Sequence, residues 1–261
     1  MDSASDNKVK FHFQRFEFKY QLPLSVVEGM IPEFLKYMDI DPYCRDLKDQ
    51  AYNVNSLYYD SAGLDCYYQK IAGLRTRKKL RVRFYNGDFK PETPVFLEIK
   101  RKYDTVVVKD RLVLNYQQAK DLLVGSKMND LDLTEAEKNT LNEFLWLKEY
   151  NGMTPTVMVC YKRKPFISKL DPNFRVTIDF GLKTYSADWL DSRGEERFVS
   201  PDTAVLEVKF NNILPAWFHQ IIERYGFDQR PFSKYCNSLE INFPWLADRS
   251  HLEVYQSKMA V

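Results

Sequence analysis

Polar and apolar residues alternate in eight stretches of this chain: 11–22, 53–60, 79–85, 95–102, 105–114, 156–166, 174–180 and 204–210. Successive strand side chains point to opposite faces, so this period of two predicts strands with one buried side and one polar side. The spacing lengthens to a helical period at 24–38 behind Pro23, and again at 64–71, 117–123, 134–146 and 215–225. Thr134 is placed to cap its helix, with Glu135 and Glu137 in the first turn, where acids suit the helix dipole. No repeat, low-complexity run or Gly/Ser linker interrupts this order, so a single domain over 1–261 is expected.

Splitting each strand into its two faces separates apolar residues from charge. Phe16, Phe18 and Tyr20 oppose Arg15, Glu17 and Lys19; Leu80, Val82 and Phe84 oppose Arg81, Arg83 and Tyr85. Val95, Leu97 and Ile99 oppose Phe96, Glu98, Lys100 and Lys102. Val176 and Ile178 oppose Arg175, Thr177 and Asp179, and Leu206, Val208 and Phe210 oppose Glu207 and Lys209. Lys109 and Arg111 share a face, as do Tyr161 and Arg163. One polar face therefore gathers Arg15, Lys19, Arg81, Arg83, Lys100, Lys109, Arg111, Arg163, Arg175 and Lys209 against Glu17, Glu98, Asp179 and Glu207. The whole chain is only +2, so its positive charge is concentrated there. A solvated outer face would account for any one strand. It accounts less well for neighbouring like charges on so many strands, whose repulsion a bound polyanion would relieve.

Composition narrows the chemistry. With 44% hydrophobic and 28% charged residues in 261, a packed core is expected, and disorder, collagen-like repeats and a coiled coil are not. No apolar run approaches the roughly 20 residues that cross a bilayer, and the first seven residues are polar, so no membrane segment or secretory signal is expected and the location is expected to be cytoplasmic. Cys44, Cys66, Cys160 and Cys236 are scattered, as buried structural thiols would be. The glycines are too dispersed for a P-loop or dinucleotide fingerprint. Three histidines and no G-x-S-x-G leave no hydrolase triad. Nucleic acid is not expected, because Phe16, Phe18 and Phe84 fall on the apolar face instead of among the bases. Lys, Arg and carboxylates remain. The fold class expected is α+β, an antiparallel β-barrel tunnel with helices packed outside and charge within. Glu207 and Glu98 are candidates to hold a divalent cation against phosphate; a salt bridge to a neighbouring base is the other role open to each, and weighs more for Glu98.

At these residues the sequence resembles a known family. Arg15-Phe-Glu17-Phe-Lys19-Tyr20, Leu80-Arg81-Val-Arg83-Phe-Tyr85, Phe96-Leu-Glu98-Ile-Lys100, Val108-Lys109-Asp-Arg111, Tyr161-Lys-Arg163, Arg175-Val-Thr-Ile-Asp179, Leu206-Glu207-Val-Lys209 and Phe232-Ser-Lys234-Tyr235 are similar, in order, to the VTC domain of polyphosphate polymerases, within the triphosphate tunnel metalloenzyme superfamily. The resemblance implies a catalytic core at about 11–240 that transfers the ATP γ-phosphate onto inorganic polyphosphate, with Mn²⁺ or Mg²⁺ as cofactor. It implies that Lys19, Arg81, Arg83, Lys100, Lys109, Arg163, Arg175 and Lys234 contact phosphates, that Tyr161 lines the site and that Glu207 holds the metal; Arg111 and Lys209 share their faces. Arg15 stands where related hydrolases carry a first-strand carboxylate, which favours transfer over hydrolysis. Pro231 takes an expected basic position, with Arg230 beside it. The sensing domain and membrane helices of eukaryotic relatives are not expected, leaving room for a separate membrane partner. The alternatives are a tripolyphosphatase or nucleoside triphosphatase in the same tunnel, or a non-catalytic polyphosphate-binding module.

Overall fold

The computed structural model describes residues 15–85, 89–104, 106–125, 131–211 and 213–248. All eight predicted strands are present in that part: β1 (Arg15–Pro23), β3 (Tyr52–Asp60), β4 (Thr76–Tyr85), β5 (Pro94–Tyr103), β6 (Val106–Asn115), β7 (Thr154–Ser168), β8 (Arg175–Tyr185) and β10 (Thr203–Asn211). Residues 11–14 and 105, which the alternation assigns to strands, lie outside the described residues. The five predicted helices appear as α1 (Leu24–Leu35), α2 (Asp65–Ile71), α3 (Tyr116–Leu123), α4 (Glu135–Tyr150) and α5 (Ala216–Tyr225).

Three elements were not legible in the pattern. Met38, expected to end the first helix, opens the short strand β2 (Met38–Ile40), which pairs with β7 and buries Met38 in the core beneath α1. The two-residue β9 (Arg197–Phe198) rests on β8, and α6 (Lys234–Asn242) follows the Phe232-Ser-Lys234 segment.

The strands form one antiparallel wall in the order β1-β10-β8-β7-β3-β4-β5-β6, with β2 and β9 attached to β7 and β8. The architecture is the expected α+β tunnel, with one qualification: β1 and β6, the two ends of the order, are not hydrogen-bonded to each other, so the wall is not closed. Apolar faces turn outward under the helices. Leu80, Val82, Val95, Leu97 and Ile99 pack in one core with Phe144 of α4 and Leu239 of α6; Val176, Ile178, Leu206 and Val208 pack in a second with Phe34 of α1 and Phe218 of α5. Each such side chain removed from water contributes about 1.5–3 kcal/mol, so this burial dictates which face of every strand points outward. The charged face is left to line the interior.

Local signals agree with that arrangement. Thr134 Oγ1 accepts from the Glu137 amide while Glu137 Oε2 accepts from the Thr134 amide at 3.0 Å, a reciprocal cap on α4. Cys44, Cys66 and Cys236 are buried free thiols and Cys160 is half-buried. No helix among the described residues is long and apolar enough to cross a membrane.

Candidate functional site

Cross-strand register brings the predicted bases and acids into three knots inside the tunnel. β4, β5 and β6 pair so that Arg81, Glu98 and Arg111 lie side by side in one row. Glu98 is fully buried. Its Oε2 accepts from Arg81 Nε at 2.6 Å, its Oε1 accepts from Arg111 Nε at 2.7 Å, and Lys109 Nζ lies 3.3 Å away. Burial alone would favour the protonated acid, but the charges of Arg81, Arg83, Lys109 and Arg111 outweigh it and hold Glu98 far below the ordinary carboxylate range.

The second knot forms where β7 meets β8. Arg163 donates to both Asp179 oxygens, at 2.6 and 2.8 Å, in a bidentate fork, and Lys234, at the first turn of α6, reaches Asp179 Oδ2 at 2.6 Å. The Tyr161 ring supports both cations, with Arg163 5.4 Å and Lys234 4.8 Å from its centroid.

On β1 and β10 the charges alternate. Glu17 pairs across with Lys209 and Lys19 with Glu207, so each carboxylate is flanked by ammonium groups. Lys209 Nζ lies 2.6 Å from Glu207, Lys19 Nζ lies 3.1 Å from Glu17, and Arg163 stands 3.8 Å from Glu207. Burial and the neighbouring Glu207 charge push Glu17 up, yet Lys100, Lys19 and Lys209 prevail and it is held below its ordinary value. Glu207 is likewise ionised against its burial, chiefly by Lys209 and Lys19.

Several groups lack full compensation. Arg83 is buried and donates to Ser56 Oγ at 3.0 Å, and no carboxylate among the described residues forms an ion pair with it. Lys100 meets Glu17 only at 4.0 Å; burial, together with the charges of Lys19 and Arg81, pushes its ammonium down to about 8. On β8, opposite Glu207, the buried Thr177 hydroxyl has no hydrogen-bond partner among the described residues.

Tyr58 was missed by sequence reasoning. It lies opposite Arg81 in the register, accepts from Arg81 Nη1 at 2.9 Å, and is pushed down to about 8 because the Arg81 and Arg83 charges overcome its burial. Extending the alternation of 53–60 across to β4 would have exposed it. Of the predicted site residues, Arg175 does not join the knots: it opens β8, is exposed, and donates to the Pro172 carbonyl at 3.3 Å. Arg230 is at the surface with Asp228, 3.2 Å away. Among the described residues no three His, Cys, Asp or Glu side chains group as a ready-made metal centre.

The interior can thus neutralise a polyanion with side chains alone. Lys19, Arg81, Arg83, Lys100, Lys109, Arg111, Arg163, Lys209 and Lys234 exceed the four carboxylates among which they stand. The family described as the VTC domain matches this chain over residues 14–243. Among solved structures, a candidate adenylate cyclase from Bacillus halodurans is similar at TM-score 0.51 and 11% identity, over 88% of this chain and 98% of that one. A candidate adenylate cyclase from Vibrio parahaemolyticus gives 0.40 and 12% over 85% and 95%, and the Mimivirus capping enzyme triphosphatase gives 0.34 and 8% over 80% and 88%. No curated protein matches the sequence.

Proposed function

The chain belongs to the VTC-domain family, and from that membership we propose that its tunnel binds triphosphate and polyphosphate and transfers the ATP γ-phosphoryl group onto the end of a polyphosphate chain. The observation that supports this most is the surplus of inward bases over carboxylates, with Arg83 buried and in no ion pair among the described residues. An arginine in that state is costly unless an anion meets it.

Phosphoryl transfer asks little covalent chemistry of a protein, mainly in-line positioning and neutralisation of charge on the equatorial oxygens. Arg81 is held by Glu98 and Tyr58, and Arg163 by Asp179, so both guanidinium groups are oriented before a ligand arrives. Lys100 and Lys209 supply point charges on mobile stems.

The donor chemistry fits a divalent cation at one place. Glu207 and Glu17 lie diagonally across β10 and β1, close enough for the Glu207 charge to raise the proton affinity of Glu17, beside the Thr177 hydroxyl, which has no hydrogen-bond partner among the described residues. Hard oxygen donors of this kind suit Mg²⁺ or Mn²⁺ shared with phosphate. Glu98 suits it less, since three cations already occupy its two oxygens. A cation held by Glu207 and Glu17 would offset charge on the transferring phosphate. Lys19 and Lys209, released from those carboxylates, would then turn to the substrate.

Incubation of the protein with ATP and Mn²⁺, followed by gel resolution of the products, tests the proposal. Polymer supports it; free phosphate alone would reassign the site to hydrolysis, and tight tripolyphosphate binding with no turnover would reduce it to a binding module.

A further inference from the structure

The charged face does not stop at the knots. Two residues before Arg81 on β4 stands Lys79, and two before that Arg77, both on the same inward side. β5 sets Lys100 opposite Lys79 and Lys102 opposite Arg77, so two directly opposed pairs of like charge follow one another where β5 turns into β6. α2, which packs against β4, adds the half-buried Lys70, and the charges of Arg77, Lys79 and Lys102 join burial in lowering the proton affinity of its ammonium.

Lys70, Arg77, Lys79 and Lys102 are half-buried and have no carboxylate within ion-pair distance among the described residues. The nearby Asp104 is taken by Arg75 at 3.0 Å. Lys79 instead sits over the Tyr235 ring, 4.1 Å from its centroid, and Arg77 donates to the Leu74 carbonyl. The outward bases of the same two strands behave differently: Lys78 pairs with Glu143 at 3.1 Å, and Arg101 pairs with both Asp110 and Glu143. Missing counter-charge is therefore a property of the inward face at this end, and opposed like charges there are destabilising unless something anionic lies between them.

We propose that Lys70, Arg77, Lys79 and Lys102 form a second anion subsite, continuous with the tunnel, that holds the distal phosphates of a linear polyphosphate. Arg77 lies four residues from Arg81, about 13 Å along the strand, beyond the reach of a triphosphate seated on Arg81 and Arg83. The inference rests on the polyphosphate reading of the tunnel and goes further by assigning a length-dependent site.

Calorimetric titration with tripolyphosphate and with a long linear polyphosphate of defined length tests it, on wild type and on the double variant Arg77→Gln/Lys102→Gln. The long chain should bind wild type more tightly than tripolyphosphate does. The variant should keep its tripolyphosphate affinity within about twofold while losing about tenfold or more for the long chain. Its affinity should also fall less steeply with salt, by about 0.7 in log–log slope per base removed. Lys70→Gln, which leaves both strands untouched, supplies the same comparison should the double variant fold poorly. Equal losses for both ligands, or an unchanged long-chain affinity, would overturn the subsite while leaving the tunnel assignment intact. A wild type that binds neither ligand would overturn the tunnel assignment itself.

Discussion

Neutralising Glu98 isolates the electrostatic logic of the interior. The Glu98→Gln side chain keeps the volume of the carboxylate, yet leaves Arg81, Arg111 and Lys109 gathered around an amide. Removing one partner of a buried ion pair costs about 3–5 kcal/mol, because the remaining charge is stranded. Arg111 and Lys109 are 31% and 41% exposed, which lets water screen them, so the lower end applies, about 3 kcal/mol. At about 2–4 °C per kcal/mol for a chain of this size, the melting temperature should fall by roughly 6–12 °C. The sign with pH is set by the depressed folded value: the Glu98 contribution is complete above its ordinary 4.5 and is lost as pH falls toward the folded value, so wild type and variant should converge in acid. Tripolyphosphate should then raise the variant's melting temperature more than the wild type's, since the ligand supplies the missing negative charge. Thermal melts at neutral and acid pH, with and without tripolyphosphate, are the assay. A variant that melts with wild type, or gains no more from ligand, would refute the view that these bases are poised for an anion.

Arg83→Ala should weaken tripolyphosphate about 10–100-fold by calorimetry and lower the melting temperature less than Glu98→Gln does, because Arg83 forms no ion pair among the described residues and acts on Glu98 only at longer range. Tripolyphosphate affinity should fall as pH rises through about 8, where Lys100 loses its charge, and Lys100→Arg should flatten that part of the profile relative to wild type. Glu207→Gln should abolish the gain in tripolyphosphate affinity conferred by Mn²⁺ while leaving metal-free affinity equal or higher; equal loss with and without metal would mean that Glu207 serves only to position Lys209. Thr134→Ala, outside the site, should cost about 1 kcal/mol and leave turnover unchanged, a control for fold effects.

The strands were legible because each has one face that must be buried, and alternation in sequence records that requirement directly. β2 was not, since its three residues acquire strand geometry from β7, a tertiary cause with no local signature. α6 is short, and its first turn, with Lys234 facing Asp179 and Tyr235 donating to Asp60, answers to distant partners more than to its own periodicity. The composition of the interior could be counted strand by strand, but not who meets whom. That Glu98 belongs to Arg81 and Arg111, and Asp179 to Arg163 and Lys234, follows from register and from where α6 begins. Lys79 and Tyr58 lay within reach of the same alternation, one step further along β4 and one strand across. Arg175 shows what parity leaves out: the register sets it opposite Lys209 on the same face, yet at the start of β8 it is exposed and donates to the Pro172 carbonyl, apart from the three knots.

The unclosed seam between β1 and β6 has a further consequence. Among the described residues both end the strand order, and the outer edge of β1 is met only by the Tyr20–Gln229 bridge and by the Arg230 amide, which donates to the Lys19 carbonyl at 3.1 Å; strand edges left this open are the usual template for sheet-to-sheet aggregation. Glu17 and Lys19 on one edge, and Lys109 and Arg111 on the other, put inward charges where an incoming strand would have to dock. Ligand-facing residues thereby also guard the seam, so alanine scanning of these two strands is expected to raise aggregation along with any change in affinity.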